Sequence, residues 1–96
     1  MSHPVALSPR AKDDLNQAAM WYRSRRTGLD SEFMNEIGDH LNTIASFPTG
    51  APRIGRTIRM FPLSKFPYVI TYRFSSGTVY IIRVVHSRRH PLVRSR

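Results

Sequence analysis

Apolar residues recur at helical spacing through the first half of this chain and at every other position through much of the second. Val5, Ala6 and Leu7 form a short apolar run that reads as a brief strand. Ser8 and Pro9 then supply a helix start, a hydroxyl N-cap followed by proline at the first helical position. From Arg10 onward, Leu15, Ala18, Ala19 and Tyr22 lie on one apolar face of an amphipathic helix. Asp13 and Asp14 in its early turns and Arg23, Arg25 and Arg26 at its end suit the helix dipole, and Gly28 is the expected stop. A second helix is expected to start near Asp30 or Ser31. Phe33, Ile37, Leu41 and Ile44 form its stripe, Met34 and Ala45 widen it, and Pro48 and Gly50 end it. Gly38 falls inside that helix and reads as an exposed glycine, costing about 1 kcal/mol relative to alanine.

Beyond Pro48 the period changes to two. Residues 56–61 and 68–74 read as strands, Ser75-Ser76-Gly77 as a hairpin turn, and residues 78–86 as the longest and most β-branched strand. The expected fold is α+β, in the order β-α-α-β-β-β, with a helical hairpin packed on one face of a small, mostly antiparallel sheet. Ninety-six residues fit a single domain over positions 1–96.

Alternation divides each strand into two faces. Tyr68, Ile70, Tyr72 and Phe74 share one side, as do Tyr80, Ile82, Val84 and His86 in the next strand. If these aromatic-rich sides meet the helices, Arg59, Arg73 and Arg83 all project from the open side.

Charge sharpens this picture. Residues 1–47 carry five Lys/Arg and six Asp/Glu, whereas residues 48–96 carry ten Lys/Arg and no acid. The formal charge is +9, and nearly all of it belongs to the strand-rich half. Such a surface attracts a polyanion or an acidic protein. The tail is denser still, with His86, Arg88, Arg89, His90, Arg94 and Arg96. A histidine among arginines has a lowered pKa and suits acid–base chemistry near neutral pH.

Other chemistry is disfavoured. The chain has no cysteine, which excludes disulfides and thiolate metal sites. Four dispersed histidines do not suggest a metal, and His3 and His40 read as surface residues. No phosphate loop or paired-carboxylate motif occurs, and no cofactor is expected. No apolar run approaches the roughly 20 residues needed to cross a bilayer, and the N-terminus lacks a secretory core, so no membrane partner and a cytoplasmic location are expected.

Leu7 to Leu15 followed by Trp21-Tyr22 resembles the opening of the RelE/ParE superfamily of bacterial toxins. Ile58-Arg59 followed by Pro67-Tyr68-Val69-Ile70-Thr71-Tyr72-Arg73 is similar too, and Ile82 to Pro91 is the strongest match. The resemblance implies the same β-α-α-β-β-β fold and a cognate, acidic-tailed antitoxin, with Trp21 and Tyr22 as candidate antitoxin contacts. It also implies one of two activities. RelE-like members cleave mRNA on the ribosome by activating the 2′-hydroxyl, using basic residues on the sheet and often a tyrosine near the C-terminus. ParE-like members poison DNA gyrase.

Where the nuclease pattern has an arginine after the aromatic residue of the third strand, this chain has Val69, and no tyrosine follows Tyr80. Valine cannot stabilise the charge of a phosphorane, a loss worth about 100-fold or more. The ParE-like branch is therefore expected, without catalytic residues and with Arg83, Arg88 and Arg89 against gyrase or its DNA. In the RelE-like alternative Arg59, Arg83, His86 and Arg89 form the catalytic set, with the ribosome and mRNA as partners. A plain basic nucleic-acid-binding module is a further alternative, marked by steep salt dependence.

Overall fold

The computed structural model describes residues 2–89. In chain order the elements are β1 (Val5–Leu7), α1 (Pro9–Arg25), α2 (Leu29–Ser46), β2 (Arg59–Pro62), β3 (Tyr68–Ser75) and β4 (Thr78–His86). The strands form one sheet in the order β1-β4-β3-β2, with β1 parallel to β4 and the other pairs antiparallel. The fold is α+β, as the periodicities predict.

Ser8 does more than cap α1. Its hydroxyl oxygen accepts from the Ala11 amide at 3.0 Å while the hydroxyl donates to the Ile82 carbonyl at 2.7 Å, so the start of α1 is fixed to β4. Gly28 is not the stop of α1. The helix ends at Arg25 with Arg26 extended, and Gly28, at φ 91°, becomes the left-handed N-cap from which α2 departs at Leu29. The turn after β3 is a two-residue one. Ser75 pairs with Thr78, and Ser76 and Gly77 both have positive φ, the arrangement that suits the twist of a tight hairpin. β2 starts three residues later than expected because residues 54–58 close a turn, Ile54 N–H donating to the Ile58 carbonyl at 2.8 Å.

The core lies between the helices and the sheet. Ala11, Leu15, Ala18 and Tyr22 from α1 meet Phe33, Ile37 and Ile44 from α2 over Ile70, Tyr72, Val79, Ile81 and Val84. In α2 the stripe is not widened by Met34, which is 40% exposed. The buried neighbour is Glu36. Its carboxylate accepts from the backbone amides of Ser64 and Lys65, the latter at 3.0 Å, and contacts His40 Nε2 at 2.6 Å. Burial alone would raise the Glu36 pKa. The Ser64 amide, the His40 ring and the Lys65 amide outweigh it and hold the carboxyl below its ordinary value. His40 is thus a partner of a buried carboxylate, not a free surface residue.

One irregularity reorganises β4. Thr71 pairs with Arg83 and Tyr72 with Ile81, leaving Ile82 as an extra residue. Such a bulge shifts the inward–outward phase of everything beyond it. Val79 and Ile81 face the helices before it and Val84 after it, so Tyr80 and Ile82, which strict alternation groups with Val84, are not core residues.

Candidate functional site

The bulge lies beside a groove bordered by α1. β1 covers β4 only as far as Ile81, so the rest of β4 runs beside α1 as an edge. Ser8 and Asp14 fill part of that edge. Asp14 accepts from Arg83 Nε at 2.8 Å, from Arg83 Nη2 at 3.0 Å and from the Val84 amide at 3.0 Å. Arg83 therefore does not project freely from the open face; its guanidinium is held by α1. The fork-to-carboxylate geometry raises its pKa above the ordinary arginine value against the effect of burial.

Past this ion pair a groove of about 560 Å³ opens between α1 and the end of β4, lined among others by Trp21, Tyr22, Tyr68, His86 and Arg89. Trp21 is 45% exposed, its ring edge-on to Tyr22 and under the Arg25 guanidinium, 4.5 Å from the ring centre. Tyr22 belongs to the core, packed against Phe33, Phe66 and Tyr68, and only its rim reaches the groove. Burial raises the pKa of Tyr22 and of Tyr68, with Arg89 opposing in both cases. Both phenols stay neutral near pH 7. Burial also lowers the His86 pKa, reinforced by Arg89 and then Arg88. Its Nδ1 accepts from the Arg88 amide at 3.1 Å, so the neutral ring carries its proton on Nε2. The groove thus offers an aromatic wall, neutral donors and exposed cations at one end.

Arg59 and Arg73 are elsewhere. Arg59 pairs with Tyr72, a core residue, so it lies on the helix side of the sheet and not on the open side. Its Nη1 donates to the carbonyls of Thr49 at 3.1 Å and Ala51 at 2.7 Å. Arg73, opposite Tyr80 and exposed, does occupy the open side, its guanidinium 5.4 Å from the Tyr80 ring centre. A second, smaller groove is lined by Arg53, Arg56, Arg59 and Arg73. Of the four nuclease candidates, the structure brings together Arg83, His86 and Arg89 and leaves Arg59 apart. Val69 is buried opposite Val85. His90, Arg94 and Arg96 lie outside the described residues.

Residues 5–91 match the family described as the ParE toxin of type II toxin-antitoxin system, parDE. The chain belongs to the ParE toxin family. It is 27% identical to Toxin RelE1 of Caulobacter vibrioides (strain ATCC 19089 / CIP 103742 / CB 15) over 88 residues, 90% of this chain and 95% of that protein. Its fold is similar to a chain of the chromosomal ParDE TA system from P. aeruginosa, with a TM-score of 0.78 and 16% identity over 88% of this chain and 96% of the other. Both names fall within the superfamily that the sequence resembles. The chain is a toxin of the type II toxin–antitoxin class, and membership of the ParE family implies a cognate antitoxin.

Asp14 is the site residue that sequence reasoning missed. Its signal was present: it precedes Ala18 by one helical turn and so borders the buried face, next to a half of the chain that has no carboxylate of its own. Among the described residues no group of three metal-ligating side chains occurs, and no helix is long and apolar enough to cross a membrane.

Proposed function

We propose that this ParE-family toxin poisons DNA gyrase in the cytoplasm and that a cognate antitoxin silences it by seating an amphipathic segment along the groove between α1 and β4. The observation that carries the gyrase reading is the state of the basic residues. Arg83 is neutralised by Asp14, Arg59 is turned to backbone carbonyls in another groove, and the β3 position of the nuclease pattern is the buried Val69. A ribosome-dependent nuclease needs unpaired cations converging on the scissile phosphate, and among the described residues Arg59 and Arg83 are held away from such a role. Arg88 and Arg89, both exposed at the end of β4, are the residues assigned to the target, with Arg83 behind them.

The antitoxin assignment rests on the apolar wall of Trp21 beside cations that suit an acidic segment. The charge of +9 steers such a partner to it. Tyr22 supports that wall from within the core.

Induced expression tests the target. Growth arrest should be accompanied by induction of a DNA-damage reporter, with full-length mRNA retained, and Arg88→Ala with Arg89→Ala should abolish both arrest and induction. Arrest with mRNA cleaved at ribosomal positions and no reporter signal would transfer the assignment to the RelE-like alternative.

A further inference from the structure

The smaller groove lies at the other end of the sheet from the Trp21 groove, and nothing in the toxin reading uses it. Thr49, Arg53, Arg56, Thr57, Arg59, Arg73, Phe74 and Ser75 line it. Arg53 and Arg59 face each other across an isolated antiparallel bridge. Like charges directly opposite in such a pair repel, so in the absence of an anion the pairing is unfavourable. Elsewhere in the fold some arginines do meet a carboxylate, as Arg83 meets Asp14 and Arg26 meets Glu32. Among the described residues these four arginines have no carboxylate partner. The frame is nevertheless built. Arg59 is braced by the Thr49 and Ala51 carbonyls, Arg53 Nη1 donates to the Arg56 carbonyl at 3.4 Å, and the Met60 amide donates to the Pro52 carbonyl at 3.0 Å.

We propose that this groove binds the phosphodiester backbone of a nucleic acid, as a second site separate from the Trp21 groove. The lining distinguishes between anions. Guanidinium groups and the hydroxyls of Thr49, Thr57 and Ser75 are donors of the kind that meet phosphate oxygens. Phe74 is its one large apolar side chain, so an acidic peptide finds few anchors there, whereas a phosphate backbone needs none. Contacts of this kind fix position without reading base sequence.

The test is fluorescence anisotropy of a labelled mixed-sequence DNA duplex, without gyrase, between about 50 and 200 mM salt. Arg53→Ala with Arg56→Ala should weaken binding about tenfold and flatten the slope of log affinity against log salt by about 2. Arg10→Ala with Arg23→Ala removes the same charge from exposed positions of α1 and should change the slope little. Arg56→Ala alone, at an exposed turn residue, should flatten the slope by about 1 and covers the case in which the double variant does not fold. Equal losses in the two double variants would overturn the site in favour of diffuse charge. So would tighter binding of a deca-glutamate peptide than of the duplex, which would mark a protein-binding surface. Because gyrase is absent, failure here leaves the gyrase reading standing, and failure of that reading leaves this site to stand or fall on the salt slopes.

Discussion

Two carboxylates anchor the helical hairpin, Asp14 to β4 and Glu36 to the loop between β2 and β3, each meeting at least one backbone amide and one side chain. Glu36 has the clearer consequence for pH. Its pKa in the folded chain is lowered from the ordinary 4.5, so the folded state binds its proton less readily than the unfolded one. The stability it contributes is present above pH 4.5 and is lost as pH falls below that value towards its folded pKa. Glu36→Gln leaves an amide against Ser64 and Lys65 and should cost about 1–3 kcal/mol at neutral pH. Urea unfolding followed from pH 7 to acid should show a smaller loss of stability in the variant than in the wild type. Parallel pH profiles would contradict this role. The partners of neither carboxylate were legible in the sequence. Glu36 stands one position from the apolar stripe, and its partners, Ser64 and Lys65, come from a loop no periodicity describes. The Asp14–Arg83 pair spans 69 positions and needs the topology first.

At the level of elements, local chemistry was the better guide. Ser8-Pro9 starts α1, and β4 spans the residues its β-branched run predicts, because capping and β-propensity act over a few residues. The face assignment of β4 failed for all of residues 79–82, since a bulge depends on pairing with β3 and leaves no mark in the alternation of one strand. Arg83 keeps the side that alternation gives it, opposite Thr71, but at the uncovered edge of β4 its guanidinium is tied to Asp14 of α1. The two helices meet through Gly28, whose positive φ explains why α2 starts before its first acidic residue. Gly38, by contrast, is exposed, and a methyl group there meets no atom within 4 Å. Gly38→Ala should therefore stabilise the protein by about 0.5–1 kcal/mol, seen as a raised urea midpoint with an unchanged slope. A lower midpoint would mean that α2 packs more tightly there than its geometry indicates.

The whole molecule separates two kinds of surface. One groove, between α1 and β4, joins an aromatic wall to the exposed Arg89, which Arg88 precedes in the chain; the other, beside β2, is lined by four arginines and three hydroxyl side chains. The charge count foretold a basic half but not this division, which arises because Arg59 lies on the helix side while Asp14 captures Arg83 at the edge of β4. Trp21 is the natural probe of the first groove, since it is exposed and its removal spares the core formed by Tyr22. Trp21→Ala should weaken binding of the cognate antitoxin about tenfold or more by calorimetry, while leaving thermal unfolding nearly unchanged. Unchanged affinity would move the antitoxin away from this face. The most direct test of the central claim is trapping of gyrase–DNA cleavage complexes by the purified toxin, scored as linearised plasmid. Linear product that requires both gyrase and ATP, and disappears when Arg88 and Arg89 are replaced by alanine, is the result this account predicts. No linear product from protein that still arrests growth would contradict it.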